Sequence, residues 1–220
     1  ITMDVNDFCQ RSSPAVTEEL KERIRNLDKN IFFILSTARC RSSWFANLFT
    51  YTDTFCYNEE TRYLNSWEEF VDRIEERPEY NIGFEDPELL HYIITLYNLF
   101  PNATYVLLER DREESEYSLC AESLENSETV SRKFDRWFID INNFKQLIPS
   151  YSSIDFSEMD DFYEVKRIWD YVLPNMYFDV GRWNLLTSLK ISVTLGHKPY
   201  PIPSYSMAPY FNFEQLDMIR

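Results

Sequence analysis

Glycine is nearly absent from this chain, with 3 among 220 residues. A phosphate-cradling loop built on repeated glycines is therefore excluded, and the G-x-x-x-x-G-K-[ST] pattern of nucleotide triphosphatases does not occur. Positive charge is also short: 22 Lys and Arg stand against 37 Asp and Glu, for a net charge of −15. That balance argues against nucleic acid or an anionic membrane as a partner of the whole surface. No apolar run approaches the roughly eighteen residues of a transmembrane helix. Residues Ile1 to Arg11 lack the basic and apolar regions of a signal peptide. Cys9, Cys40, Cys56 and Cys120 show neither C-x-x-C nor zinc-type spacing, so no metal site is expected. Free thiols in a cytoplasmic protein are the expectation. What the chain has in quantity is apolar material: 44% hydrophobic and 17% aromatic residues. That is enough to pack one substantial domain, and it excludes a disordered, collagen-like or coiled-coil chain.

Hydrophobic patterning divides the chain into alternating strands and helices. Thr17 to Asp28 reads as a surface helix, and Ile31-Phe-Phe-Ile-Leu35 as a strand buried on both faces. A polar loop, Ser36 to Arg41, leads into a helix from Ser42 to Tyr51. Thr54–Tyr57 and Asn81–Phe84 read as short strands. Between them Ser66 to Glu76 is a helix, with Ser66 and Glu69 in capping-box positions. Asp86 and Pro87 open a helix that runs to Phe100. Thr104–Leu108 is another buried strand, followed by helices from Asp111 to Ser123 and Glu128 to Leu147. Ser152–Phe156 is a last strand, and helices follow at Asp160–Val172 and Asp179–Leu189. The alternation predicts a single α/β domain over 1–220 with a mostly parallel sheet. Its core covers about 30–195, and a Pro- and Tyr-rich arm extends over 197–220.

Two segments carry chemistry. The first is Ser36-Thr-Ala-Arg-Cys-Arg-Ser-Ser-Trp44, between a buried strand and a helix. The first N–H groups of a helix are unpaired and favour an anion. Arg39 and Arg41 add guanidinium groups suited to phosphate or sulfate oxygens, and Ser42 and Ser43 add hydroxyls. An ordinary strand-to-helix loop with capping serines fits the same residues equally well. The second segment starts where the strand Thr104–Leu108 gives way to Arg110-Asp111, with Ser118 eight residues beyond Arg110. Ligands of parallel sheets bind beyond the carboxyl ends of strands, where Arg110 would emerge, and Ser118 lies on a helix face that can turn back toward it. Taken alone, the segment reads more simply as a capping pair with an incidental serine.

Together these segments resemble the sulfotransferase superfamily. Its members carry P-[KR]-x-G-[ST]-[ST]-[WL] after a strand, to bind the 5′-phosphosulfate of 3′-phosphoadenosine-5′-phosphosulfate (PAPS). They carry R-[DN]-P-x-x-x-x-x-S after a later strand, to bind its 3′-phosphate. Here the first reads Ala38-Arg39-Cys40-Arg41-Ser42-Ser43-Trp44, and the second keeps Arg110, Asp111 and Ser118. Cys56-Tyr-Asn-Glu-Glu-Thr-Arg62 is similar to the C-G-E-E-T-R segment of tyrosylprotein sulfotransferases. Asp86-Pro87 with Leu99-Phe-Pro-Asn102 is similar to the family's K-D-P and L-F-P-N positions, and Ile154 to Met159 loosely resembles its Y-E-D-L strand end.

The resemblance implies a P-loop-like three-layer domain, with a central parallel sheet flanked by helices. It implies sulfuryl transfer from PAPS to a hydroxyl of a peptide, glycan or small molecule, leaving 3′-phosphoadenosine-5′-phosphate (PAP), without a metal. Arg39, Cys40, Arg41, Ser42, Ser43, Trp44, Arg110 and Ser118 would hold the cofactor. Arg39, Glu60 and Arg62 would be catalytic: Arg39 electrostatic, Glu60 the general base, Arg62 its orienter or a contact to the sulfuryl group. The residues alone also permit a solvated pair at Glu59 and Glu60. His91 is a rival base, and His197 a weaker one. Three departures stand out: Ala38 replaces the usual Pro, Arg41 the usual Gly, and Glu85 the usual Lys. An arginine at a glycine position forbids positive φ unless the backbone is strained. The departures keep open a PAPS- or PAP-binding module without turnover. A divergent P-loop kinase is disfavoured by the missing loop lysine. Cys40, at a helix start, is placed where a thiol pKa can fall, but it reads as a small loop residue and not as a nucleophile.

Overall fold

The computed structural model describes residues 16–122 and 126–188. The lead-in over 1–15, the arm over 197–220, Cys9 and His197 lie outside them. The order of elements is α1 (Glu18–Arg25), β1 (Asn30–Ser36), α2 (Ser42–Phe49), β2 (Thr54–Asn58), α3 (Trp67–Glu76), β3 (Asn81–Glu85), α4 (Ile93–Leu99), β4 (Thr104–Glu109), α5 (Arg112–Glu122), α6 (Ser127–Leu147), β5 (Ser152–Asp155), α7 (Phe162–Val172) and α8 (Val180–Ser188). Short 3₁₀ turns follow β2 (Glu60–Tyr63), β3 (Pro87–Tyr92) and β5 (Phe156–Glu158). The five strands form one sheet in the order β2-β3-β1-β4-β5, and every pairing is parallel.

Successive side chains of β1 point to opposite faces of the sheet, and both faces are covered. Ile31, Phe33 and Leu35 join one core, with Trp67 and Phe70 of α3, Leu96 of α4, and Phe134 and Phe144 of α6. Phe32 and Ile34 join the other, with Phe45 and Phe49 of α2 and Ile168 and Trp169 of α7. This is why the run could be uninterruptedly apolar. Phe32 lies across Gly83 of β3, where an added Cβ would stand 2.1 Å from the phenyl ring. The glycine thus makes room for the aromatic ring. At the far end of α2, Arg182 of α8 donates to the carbonyls of Asn47 and Thr50, the latter at 2.8 Å. It satisfies carbonyls that the helix end leaves open.

Two local expectations are corrected. Ser66 caps α3 by accepting from the N–H of Glu69 at 3.1 Å, but the Glu69 carboxylate takes the N–H of Asn65 at 2.8 Å. The capping box is therefore shifted by one residue on its return arm. The helix expected from Pro87 to Phe100 is a 3₁₀ turn followed by α4. Asp86 gives one oxygen to Glu88 N–H and the other to Thr61, and Pro87 brings no N–H. The tighter coil buries Pro87, Leu89, Leu90 and Tyr92.

The chain leaves β1 toward the face of α2, and leaves β4 toward the face of α5 and α6. Adjacent parallel strands whose exits diverge leave a crevice at their carboxyl ends, the usual ligand position of an open α/β sheet.

Candidate functional site

Both chemistry-bearing segments meet in that crevice. Arg39 Nε donates to Ser118 Oγ at 3.2 Å, and Arg110 Nη1 donates to the Arg39 carbonyl at 2.8 Å. Residues far apart in sequence are tied through one guanidinium and one peptide oxygen. The Arg110 guanidinium also sits over Phe156, 3.9 Å from the ring centroid. Such stacking orients a guanidinium while leaving its edge available to oxygens. Ser115, one turn before Ser118, is fully buried, and its hydroxyl has no hydrogen-bond partner. Sequence reading missed Ser115 and Phe156. Their signals were a serine three residues before Ser118 and an aromatic ring at the end of β5.

The loop after β1 is strained at two arginines, with φ of 70° at Arg39 and 56° at Arg41. Arg41 is the N-cap of α2, with ψ of 28°, and provides no side-chain cap. The position therefore does require the left-handed conformation that glycine adopts readily, and an arginine occupies it at a cost of about 1–2 kcal/mol. The Trp44 N–H donates to the Arg41 carbonyl at 3.0 Å. The Trp44 N–H is thus engaged within the first turn of α2, which Ser42 and Ser43 open. The Trp44 ring is buried, with its indole N–H lacking a partner. Arg41 extends over it, 5.4 Å from the centroid, and pairs with Asp160 at 2.7 Å.

Cys40 faces the interior, and its Sγ lies 3.2 Å from Thr37 Oγ1. Burial pushes its thiol up to about 11, against the lowering expected at a helix start.

Glu60 stands after β2, on the same sheet edge. With β3 between them, the ends of β1 and β2 are about 10 Å apart. The turn is stapled to β3: Glu59 N–H donates to the Glu85 carbonyl at 2.7 Å, and Thr61 gives its N–H and hydroxyl to Asp86. Glu60 is buried, with Oε1 3.1 Å from Arg73 Nε. Burial raises its pKa to about 7; Arg73 pulls it down, while Asp86 and Glu76 push it further up. A solvated pair is thereby excluded for Glu60. Arg62 lies in the same 3₁₀ turn, but its side chain is outside what the structure describes. Glu85 is wholly buried at the end of β3, at the position where the resemblance expects a lysine. His91 is held elsewhere: Nδ1 meets the Asp140 carboxylate, Nε2 is 3.5 Å from Glu88, and the ring stacks on Trp137 of α6. The rival base is thus a strut between the 3₁₀ turn and α6.

Among the described residues, no three His, Cys, Asp or Glu side chains gather as metal ligands, and no helix is long and apolar enough to cross a membrane.

The fold is a three-layer α/β protein with an arginine- and serine-bearing loop after its first strand. A solved structure of the same fold is that of mouse sulfotransferase SULT7A1 complexed with PAP. The match has a TM-score of 0.52 and 14% identity, over 78% of this chain and 68% of that one. No family model and no curated protein matches the sequence.

Proposed function

We propose that the chain binds PAPS and moves its sulfuryl group to a hydroxyl acceptor. The observation that carries this reading is the Arg39–Ser118 and Arg110–Arg39 linkage, which unites the two phosphate-type segments at one sheet edge. The donor set fits a doubly phosphorylated ligand: three arginines, the hydroxyls of Ser42, Ser43 and Ser118, and a helix start, in a chain of net charge −15. The fold likeness to a PAP-complexed sulfotransferase supports it.

When bound, PAPS supplies the sulfuryl group and a phosphate that departs. Ser42, Ser43 and their N–H groups hold the 5′-phosphate, while Arg110 and Ser118 hold the 3′-phosphate and set orientation. Arg39 carries a permanent charge and would stabilise the negative charge that develops as the sulfuryl group moves; it donates hydrogen bonds but no proton. Glu60, with its pKa near 7, accepts the proton of the acceptor hydroxyl. Arg73 holds the carboxylate in place, and Arg62 sits one residue beyond Thr61 in the same turn.

A second reading, a PAPS- or PAP-binding module without turnover, draws on Glu85: a buried carboxylate stands where the resemblance expects a cation. Calorimetric titration with PAP, on wild type and Arg110→Ala, tests what both readings share. Micromolar binding corresponds to about −8 kcal/mol, and Arg110→Ala is expected to weaken it at least tenfold. No binding at millimolar PAP would end both readings. Turnover of PAPS that disappears in Glu60→Gln separates the enzyme from the binding module.

A further inference from the structure

The segment from Asp155 to Asp161 contains three aspartates, and two have local work. Asp155 accepts from Ser157 N–H at 2.9 Å and caps the 3₁₀ turn. Asp161 accepts from Tyr163 and Glu164 N–H and caps α7. Asp160 does neither. Its carboxylate, 72% exposed, reaches Arg41 at 2.7 Å, from the opposite end of the sheet's sequence. The backbone around it is fixed, since Asp161 N–H bonds the Glu158 carbonyl at 2.9 Å. Arg41 in turn sits at the N-cap of α2, beside the open N–H groups of Ser42 and Ser43. Its guanidinium lies 5.4 Å from the Trp44 centroid and 6.0 Å from that of Phe156, the ring that also carries Arg110.

We propose that Asp160 is an intramolecular competitor for the anion, occupying Arg41 until a phosphate takes its place. This rests on the reading of the loop as the anion site. A carboxylate on an arginine mimics one edge of a phosphate, bonding the same donors with fewer oxygens and less charge. Because Asp160 is largely in water, its release costs little, and a dianion at the start of α2 outcompetes it. The pair thus lowers affinity without closing the site. It also gives a role to the arginine that stands where the resemblance expects glycine: Arg41 is a phosphate ligand with a displaceable occupant.

The test is PAP titration of wild type, Asp160→Asn, Asp160→Ala, Arg41→Ala and the double variant Arg41→Ala/Asp160→Asn, at about 50 mM salt and again at about 500 mM. Both Asp160 variants are expected to bind PAP about two- to fivefold more tightly at low salt, the range open to an exposed ion pair. The advantage should shrink at high salt. Arg41→Ala should bind more weakly than wild type, and Asp160→Asn should add less to it than to wild type. Unchanged or weaker binding by the Asp160 variants, with wild type binding normally, would overturn the competitor role alone. PAP binding to none of the folded proteins, judged by circular dichroism, would overturn the anion site and this inference with it.

Discussion

Replacing Glu60 with Gln is expected to raise stability and abolish turnover together. Glu60 moves from its ordinary 4.5 to about 7 because burial disfavours the charged carboxylate. Below pH 4.5 the group is protonated whether folded or unfolded, and folding incurs no charge penalty. Between 4.5 and 7 the folded state binds the extra proton, so stability falls as pH rises. Above 7 the carboxylate is ionised in both states, and the penalty is complete. At about 1.4 kcal/mol per pH step, the full penalty is on the order of 3 kcal/mol. Gln keeps the size without the charge, and the loss of the Arg73 contact is already contained in that figure, because Arg73 pulls the carboxyl down toward the value it has. The net gain at pH 8 is on the order of 3 kcal/mol, or roughly 6–12 °C in Tm for a chain of this length. Near pH 4.5 the gain should vanish. Thermal melts of both proteins from pH 4.5 to 8.5 measure it. Parallel curves, or a variant less stable at pH 8, would refute the argument that burial raises this carboxylate. In the enzyme reading, the wild-type rate rises through about pH 7 and the variant loses that rise.

Other outcomes follow from the backbone and the packing. At Arg41, both Gly and Ala remove the Asp160 pair, but only Gly accepts φ of 56° without strain. Arg41→Gly should therefore be more stable than Arg41→Ala by about 1 kcal/mol in chemical denaturation; equal stabilities would contradict a left-handed loop. Gly83→Ala should destabilise by about 2–3 kcal/mol, since its Cβ would enter the Phe32 ring. Arg110→Ala should leave the melting temperature within about 2–4 °C of wild type, because it removes a surface-edge interaction of roughly 1 kcal/mol.

The sequence made the sheet legible wherever burial left a continuous apolar run. Ile31–Leu35 and Thr104–Leu108 are unmistakable because helices cover both faces. Ser118 was legible as a spacing, but its partner was not: it binds Arg39, and Arg110 reaches the same residue through a carbonyl. Contacts between residues this far apart in the chain leave no local signature, so the Arg41–Asp160 pair and the Phe156 platform under Arg110 came only from the fold. Glu60 was legible as a candidate, but Arg73 was not, because α3 brings it back from another element. Cys40 reads from sequence as a small loop residue in spite of its place at a helix start, and burial agrees: proximity to a helix start lowers a thiol pKa only where the charge is not first stripped of solvent.

The position of β1 at the centre of the sheet has a consequence for the order in which the protein is made. Its two partners, β3 and β4, both come later in the chain, and Phe32 meets Thr104 roughly seventy residues after it is synthesised. Until then this strand, apolar from Ile31 to Leu35, has an open hydrogen-bonding edge, and its faces lack the cover that α6 and α7 bring later. The proposed anion site cannot exist during that interval either, because Arg39 and Arg110 flank the same seam. A nascent chain of this design passes through a long sticky stage, and the two arginine segments come together only with the closing of that seam.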